Sequence, residues 1–180
     1  MQRDPLKQRG VGYDPSGILS VEEAAIGPQG VVGRCGGSWV IDTHHAAHPR
    51  SQAGGRRALS IGFTGHYDRM ADRFGEAPLG CAGENMIVAA GERVTAADLA
   101  GTLVVRSEDG EFELRRARVA APCAEFTSWI KRLDRVVPAT EQPEDLAFLD
   151  DGMRGYIFDV SHLERPMPVR LGDVVWVREL

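Results

Sequence analysis

Leu103-Val104-Val105-Arg106-Ser107-Glu108-Asp109-Gly110-Glu111-Phe112-Glu113-Leu114-Arg115-Arg116-Ala117-Arg118-Val119 is the stretch on which the fold turns. Leu103 to Arg106 and Phe112 to Val119 read as strands. Asp109-Gly110 between them reads as a two-residue hairpin turn, because a type I′ turn needs positive φ and this dipeptide tolerates it. An antiparallel pair is therefore expected here. Just beyond it, Pro122-Cys123 precedes Phe126, Trp129, Ile130 and Leu133, which recur at i, i+3, i+4 and i+7 and predict a helix with one apolar stripe.

Working back from the hairpin, Gly83-Glu84-Asn85 leads into Met86-Ile87-Val88-Ala89-Ala90, a run with the length and bounding of a buried strand. Before it, Ala58 to Phe63 reads as a strand and Thr64 as the cap of a helix. That helix carries Tyr67, Met70, Ala71 and Phe74 on one stripe and stops at Gly75. Ile18 to Ile26 reads as a first strand, followed by a turn at Gly27-Pro28-Gln29-Gly30 and a short extended piece at Val31-Val32-Gly33. Ser38 to Arg57 reads as a long loop with a short strand at Trp39-Val40-Ile41. Val94 to Leu99 is a turn or loop. Towards the end, Pro143 to Leu149 predicts a third, short helix with acidic residues at its positive end, and Gly155 to Val160 and Val174 to Arg178 predict two strands.

The pattern has no βαβ rhythm and no internal repeat. It predicts a β-rich α+β domain, a barrel with two or three packed helices. Residues 1–16 show no period and read as a flexible or irregular lead-in, with a single domain over 17–180.

A chain of 180 residues with 43% hydrophobic content can bury roughly 70% of its unfolded surface, so it needs no disulfide or metal merely to fold. A net charge of -5 and a pI near 5.5 argue against a nucleic-acid partner, which would require a strong basic field. A small molecule or a protein is the expected partner. Cys35, Cys81 and Cys123 are odd in number and widely spaced, which fits a reducing cytoplasm rather than a disulfide framework. No run approaches the ~20 apolar residues of a membrane span.

Cys123 is the sharpest candidate for chemistry. A thiol at a helix start faces partly positive N–H groups, which favour the thiolate, the form that attacks or binds metal. Arg115, Arg116 and Arg118 could add to that field or bind an anion. The alternative is that Cys123 is a small buried hydrophobe. Glu84 and Asn85, at the mouth of a buried strand, could supply a proton and a hydrogen-bond anchor, or could simply form a turn. Asp42, His44, His45 and His48 have donors enough for zinc, with His44 and His48 one turn apart on a helix. Pro49 argues against that helix, and a solvated loop is the competing reading. Arg50, Arg56 and Arg57 could hold a phosphate.

Taken in order, several pieces resemble the MOSC domain, the C-terminal domain of molybdenum-cofactor sulfurases that also occurs as small stand-alone proteins. They are Gly30-Val31-Val32-Gly33, the strand from Ala58 with its helix, Gly83-Glu84-Asn85, and Pro122-Cys123. Arg154-Gly155-Tyr156 and Val169-Arg170-Leu171-Gly172-Asp173-Val174-Val175 complete the set. The resemblance runs from about Gly17 to the C-terminus. It implies a β-barrel fold that holds a molybdenum cofactor (molybdopterin), with Cys123 as the protein ligand to molybdenum and Glu84 and Asn85 lining the site. Arg50, Arg56, Arg57 and Arg118 become candidate contacts to the cofactor.

The activity so implied is that of an oxidoreductase reducing N-hydroxylated compounds, with a separate electron-donor protein, or sulfur transfer. The family is also described in terms of pyridoxal phosphate binding. A cofactor-binding or sulfur-relay module without turnover, and a zinc hydrolase on the His44/His48 loop, are the alternatives. One departure stands out: many members carry Gly-Asp followed closely by His where this chain has Arg34-Cys35-Gly36-Gly37.

Overall fold

The computed structural model describes residues 1–51 and 59–179. In chain order the elements are β1 (Lys7–Gln8), β2 (Gly12–Tyr13), β3 (Glu23–Gly27), β4 (Gly30–Cys35), β5 (Ser38–Ile41), β6 (Leu59–Phe63), α1 (Thr64–Phe74) and β7 (Met86–Val88). They continue as β8 (Thr102–Ser107), β9 (Gly110–Val119), α2 (Ala124–Ile130), α3 (Pro143–Leu149), β10 (Tyr156–Asp159), β11 (Met167–Arg170) and β12 (Val174–Arg178). The architecture is a β-rich α+β fold with three α-helices among the described residues, where the pattern predicted two or three.

The hairpin is β8 and β9, paired from Leu103 opposite Leu114 to Ser107 opposite Gly110. It lies within a six-stranded mixed sheet of order β12-β8-β9-β10-β6-β7, while a second sheet has the order β11-β3-β4-β5. Alternation along β6 sends Leu59, Ile61 and Phe63 to one face. There they join Leu103, Val105, Leu114, Tyr156 and Phe158 from the same sheet and Ile26, Val31, Met167 and Val169 from the other. Each large apolar side chain so buried stabilises the fold by about 1.5–3 kcal/mol.

A second core holds Leu6, Tyr13, Tyr67, Met70, Phe126, Ile130, Leu149 and Met153, contributed by the helices and the first residues of the chain. Tyr13 stands edge-on to Phe126, with ring centroids 5.1 Å apart. Tyr67 of α1 reaches the carboxyl of Glu84, whose Oε1 lies against the place where a Cβ on Gly62 would stand. This core therefore covers the face of the sheet opposite Leu59 and Ile61.

Several expectations are corrected. A βαβ unit does exist: β6 and β7 are parallel and α1 connects them. The sequence pattern conceals it because it is a single unit among antiparallel strands and β7 is only three residues long. Thr64 does not cap α1, whose N-cap is Phe63. Instead its hydroxyl donates to Ala90 O at 2.8 Å and accepts from Ala90 N–H at 2.9 Å, tying the helix start to the end of β7. The strand expected over 18–26 is β3 and starts at Glu23 rather than Ile18, which forms an isolated bridge with Gln2. Residues 1–16 include the β1–β2 ladder, and Met1, Leu6 and Tyr13 are buried. The strand β11 is not apparent in the sequence because Pro168 lies within it; proline fits there because β11 is a sheet edge.

Candidate functional site

Arg154, in the turn before β10, is where the separate sequence candidates converge. Its Nη1 lies 3.6 Å from Cys123 Sγ and donates to Ala121 O at 3.2 Å. Its Nη2 donates to Ala82 O at 3.3 Å, and its guanidinium lies 4.2 Å from the centroid of the Phe126 ring. One cation thus joins the loop before α2 to the approach to β7. Cys123 is the N-cap of α2 and is half-buried. Because α2 spans only seven residues, the positive charge facing the sulfur comes chiefly from Arg154.

Glu84 is 4% exposed. Its Oε2 accepts from the Tyr67 hydroxyl at 2.5 Å, while Oε1 is buried without a hydrogen-bond partner among the described residues. Burial pushes its carboxyl above the usual range; the Tyr67 hydrogen bond and the charge of Arg154 act in the other direction. Burial, together with the charge of Glu84, also raises Tyr67 well above its ordinary value and pushes the Cys81 thiol up to about 12. Tyr13 donates to Cys81 O at 2.7 Å. The turn that presents Glu84 depends on Gly83, which has φ 91°. A side chain at that position would also run into Gln2 and Leu6, and the Gln2 side-chain amide donates to Gly83 O.

Asn85 belongs to a neighbouring knot. Its Oδ1 accepts from Ser60 N–H at 2.9 Å and Ser60 Oγ at 3.1 Å, and its Nδ2 donates to Asp42 Oδ2 at 2.8 Å. Asp42 is fully buried and also accepts from Gln2 N–H at 2.6 Å, from His44 N–H at 2.9 Å and from His44 Nδ1 at 3.0 Å. Burial alone would raise this carboxyl; the bonds from His44 and Gln2 hold it below its ordinary value. The histidine loop and Gly-Glu-Asn, read from sequence as separate features, thus meet at Asp42.

The zinc reading is not supported, since no group of three or more His, Cys, Asp or Glu side chains among the described residues could hold a metal. One nitrogen of each ring is used in the local structure of the loop. His44 Nδ1 is bound to Asp42, His45 Nδ1 accepts from Ala47 N–H, and His48 Nδ1 accepts from Arg50 N–H. Arg50 lies at the surface, paired with Asp4 at 2.7 Å. Arg118 is exposed on β9 opposite Ile157. Arg56 and Arg57, and Ala58 at the expected strand start, lie outside the described residues.

Sequence reasoning missed Arg154 and Tyr67 as members of the site. Tyr67 fits its apolar stripe, so nothing in the pattern exposes the role of its hydroxyl. Arg154 carried a usable signal: a cation next to Gly155 and immediately before a strand. A pocket of about 430 Å³ opens elsewhere, and of the sequence candidates it takes in only Asn85.

No protein-family model matches the sequence, and no curated protein matches it. Two solved structures are similar. The YuaD protein from Bacillus subtilis is 16% identical, with 86% of this chain and 84% of that chain covered and a TM-score of 0.50. YiiM from Geobacillus stearothermophilus is 15% identical, with 89% and 75% covered and a TM-score of 0.48. At such identity the likeness to YuaD speaks to the fold alone: most of the chain follows an arrangement found in a known structure. No helix among the described residues is long and apolar enough to cross a membrane.

Proposed function

We propose that this chain is a MOSC-like domain that binds a molybdenum–pterin cofactor, with Cys123 as the ligand to the metal. The observation that carries the reading is the Arg154 guanidinium, 3.6 Å from Cys123 Sγ and close enough to Glu84 to act on its ionisation. The residues fit the metal end of such a group: a half-buried thiol is reachable, and a soft thiolate suits a soft metal. Arg154 Nε is buried without a partner among the described residues, so the guanidinium retains hydrogen-bonding capacity at the site.

When bound, the cofactor would supply two-electron chemistry suited to N-hydroxylated compounds. Cys123 would hold the metal, Arg154 would fix the sulfur and offset its charge, and Glu84 would keep a proton on its carboxyl close by. Asn85 would hold the wall of the site through Ser60 and Asp42. Arg118, exposed on β9 shortly before Cys123, and Arg50 remain the candidates for the cofactor's phosphate. Electrons would come from a separate donor protein.

The depth of Glu84 favours a second reading, a cofactor-binding or sulfur-relay module without turnover. A carboxyl 4% exposed and held by Tyr67 is poorly placed to meet a substrate directly.

The test is metal and pterin analysis of protein produced with the cofactor available. Wild type is expected to retain molybdenum and pterin, and Cys123→Ser to lose the molybdenum while its thermal unfolding stays cooperative. A wild type with neither molybdenum nor pterin would sink the proposal. Reduction of benzamidoxime with an artificial electron donor then separates the reductase from the passive module.

A further inference from the structure

The six-stranded sheet ends on β7 and the four-stranded sheet ends on β11. The pocket of about 430 Å³ opens between these two edges, within the ~300–1,000 Å³ typical of small-molecule sites. Its walls are apolar and come from both sheets: Ala24, Ile26 and Val31 on one side, Leu59 on the other, with Val169 and Val175 between. It lies on the face of β6 that carries Leu59, opposite the face where Glu84 packs on Gly62. Of the residues assigned to the cofactor site it shares Asn85 alone, and Cys123, Glu84 and Arg154 do not line it.

The polar side chains at the rim are largely engaged. The Asn85 amide is held between Ser60 and Asp42. Arg170 pairs with Glu23 at 2.8 Å and Asp109 at 3.1 Å, and Asp173 accepts from Arg170 N–H at 2.8 Å. Glu22 is exposed at the outer lip. A charged ligand would lose its hydration in the apolar interior and find no free countercharge among these groups.

What the pocket does offer is main chain. Met86, Ile87, Val88 and Ala89 all line it, and four consecutive residues of an extended segment can do so only if the pocket runs along the strand's edge as well as its face. Among the described residues β7 has β6 as its sole neighbour, and a strand paired on one side turns alternate N–H and C=O groups outward. With three residues, that edge suits one amide better than an added peptide strand.

We propose that this seam binds a neutral, largely apolar small molecule carrying one amide-like donor–acceptor pair, which hydrogen-bonds to the outer edge of β7. The test uses the neutral dye N-phenyl-1-naphthylamine, displaced by N-butylbenzamide or by butyl benzoate, which has no N–H. Wild type and Cys123→Ser are expected to bind the dye saturably and alike, with the amide displacing it at lower concentration than the ester. Ala24→Leu, which fills the pocket, is expected to weaken binding by about tenfold or more.

Backbone amide NMR of wild type with N-butylbenzamide decides the matter if Ala24→Leu does not fold. Shifts at Met86 to Ala89 and around Val169 are expected. No dye binding, dye binding by folded Ala24→Leu as tight as wild type, equal displacement by amide and ester, or shifts confined elsewhere would each overturn the proposal.

Discussion

Glu84 is a carboxyl that the fold encloses rather than solvates, and the consequence can be read in stability. Burial raises it above its ordinary 4.5, so between that pH and its folded value the unfolded chain gives up a proton that the native protein keeps. Its contribution is fully present below about pH 4.5 and is lost as pH rises through the folded value. Glu84→Gln imitates the protonated acid and cannot lose that proton. Relative to wild type, the variant is expected to gain about 1–3 kcal/mol on going from acid to neutral or alkaline pH, read by urea unfolding at each pH. A difference between the two proteins that does not change with pH would mean that the carboxyl titrates alike in the folded and unfolded chain. Glu84 was legible from its place between a glycine and an apolar run. The partners that give it this character were not, because Tyr67 and Arg154 are brought to it by helix and strand packing over distances that local sequence patterns do not report.

At the scale of elements, the joint between α1 and β7 shows what periodicity can and cannot reveal. The stripe Tyr67, Met70, Ala71 and Phe74 and the stop at Gly75, with φ 93°, locate α1 correctly, and the limits of α3 stand as the sequence predicts them. The β8–β9 hairpin stands where Asp109-Gly110 places it, but its turn is one residue earlier than expected: Ser107 pairs with Gly110, Glu108 and Asp109 form the loop, and only Gly110, at φ 120°, has the positive φ expected of both turn residues. All of these depend on signals within a few residues. Thr64 misleads because a threonine before an apolar stripe has the same local signature whether it caps its own helix or bonds a residue far along the chain, here Ala90. β11 hides behind Pro168, tolerated only because that strand is an edge. The Thr64 joint makes a clean test. Thr64→Val keeps the shape and removes both hydrogen bonds, leaving Ala90 N–H without its partner, so a loss of about 1–3 kcal/mol is expected. Thr64→Ser should retain most of the stability. If urea denaturation finds Val and Ser equivalent, the joint contributes nothing beyond packing.

For the whole molecule, the two cores on either side of the six-stranded sheet place titrating groups with opposite preferences in one cooperative unit. Glu84, on the helical side, favours acid. Asp42 favours the opposite: held below its ordinary 3.8, it contributes stability that is present above that pH and lost as pH falls through its folded value. His66 acts in a higher window. It is fully buried on α1, its Nε2 lies 2.9 Å from Val94 O and 3.1 Å from Val94 N, and its Nδ1 has no partner among the described residues. Burial lowers it below its ordinary 6.5; the hydrogen bond to Val94 O opposes this, while the charges of Arg93 and Arg69 add to it. Below about pH 6.5 the unfolded chain takes up a proton that native His66 refuses, so stability is present above that pH and declines as pH falls through the folded value. Wild type is therefore expected to lose on the order of 1 kcal/mol across that interval, well before Asp42 begins to protonate. His66→Gln, which has no group titrating there, should flatten the decline even if it lowers stability at pH 8. Calorimetry of both proteins between pH 5 and 8 checks this, and parallel stability curves for wild type and His66→Gln would show that the acid loss originates elsewhere.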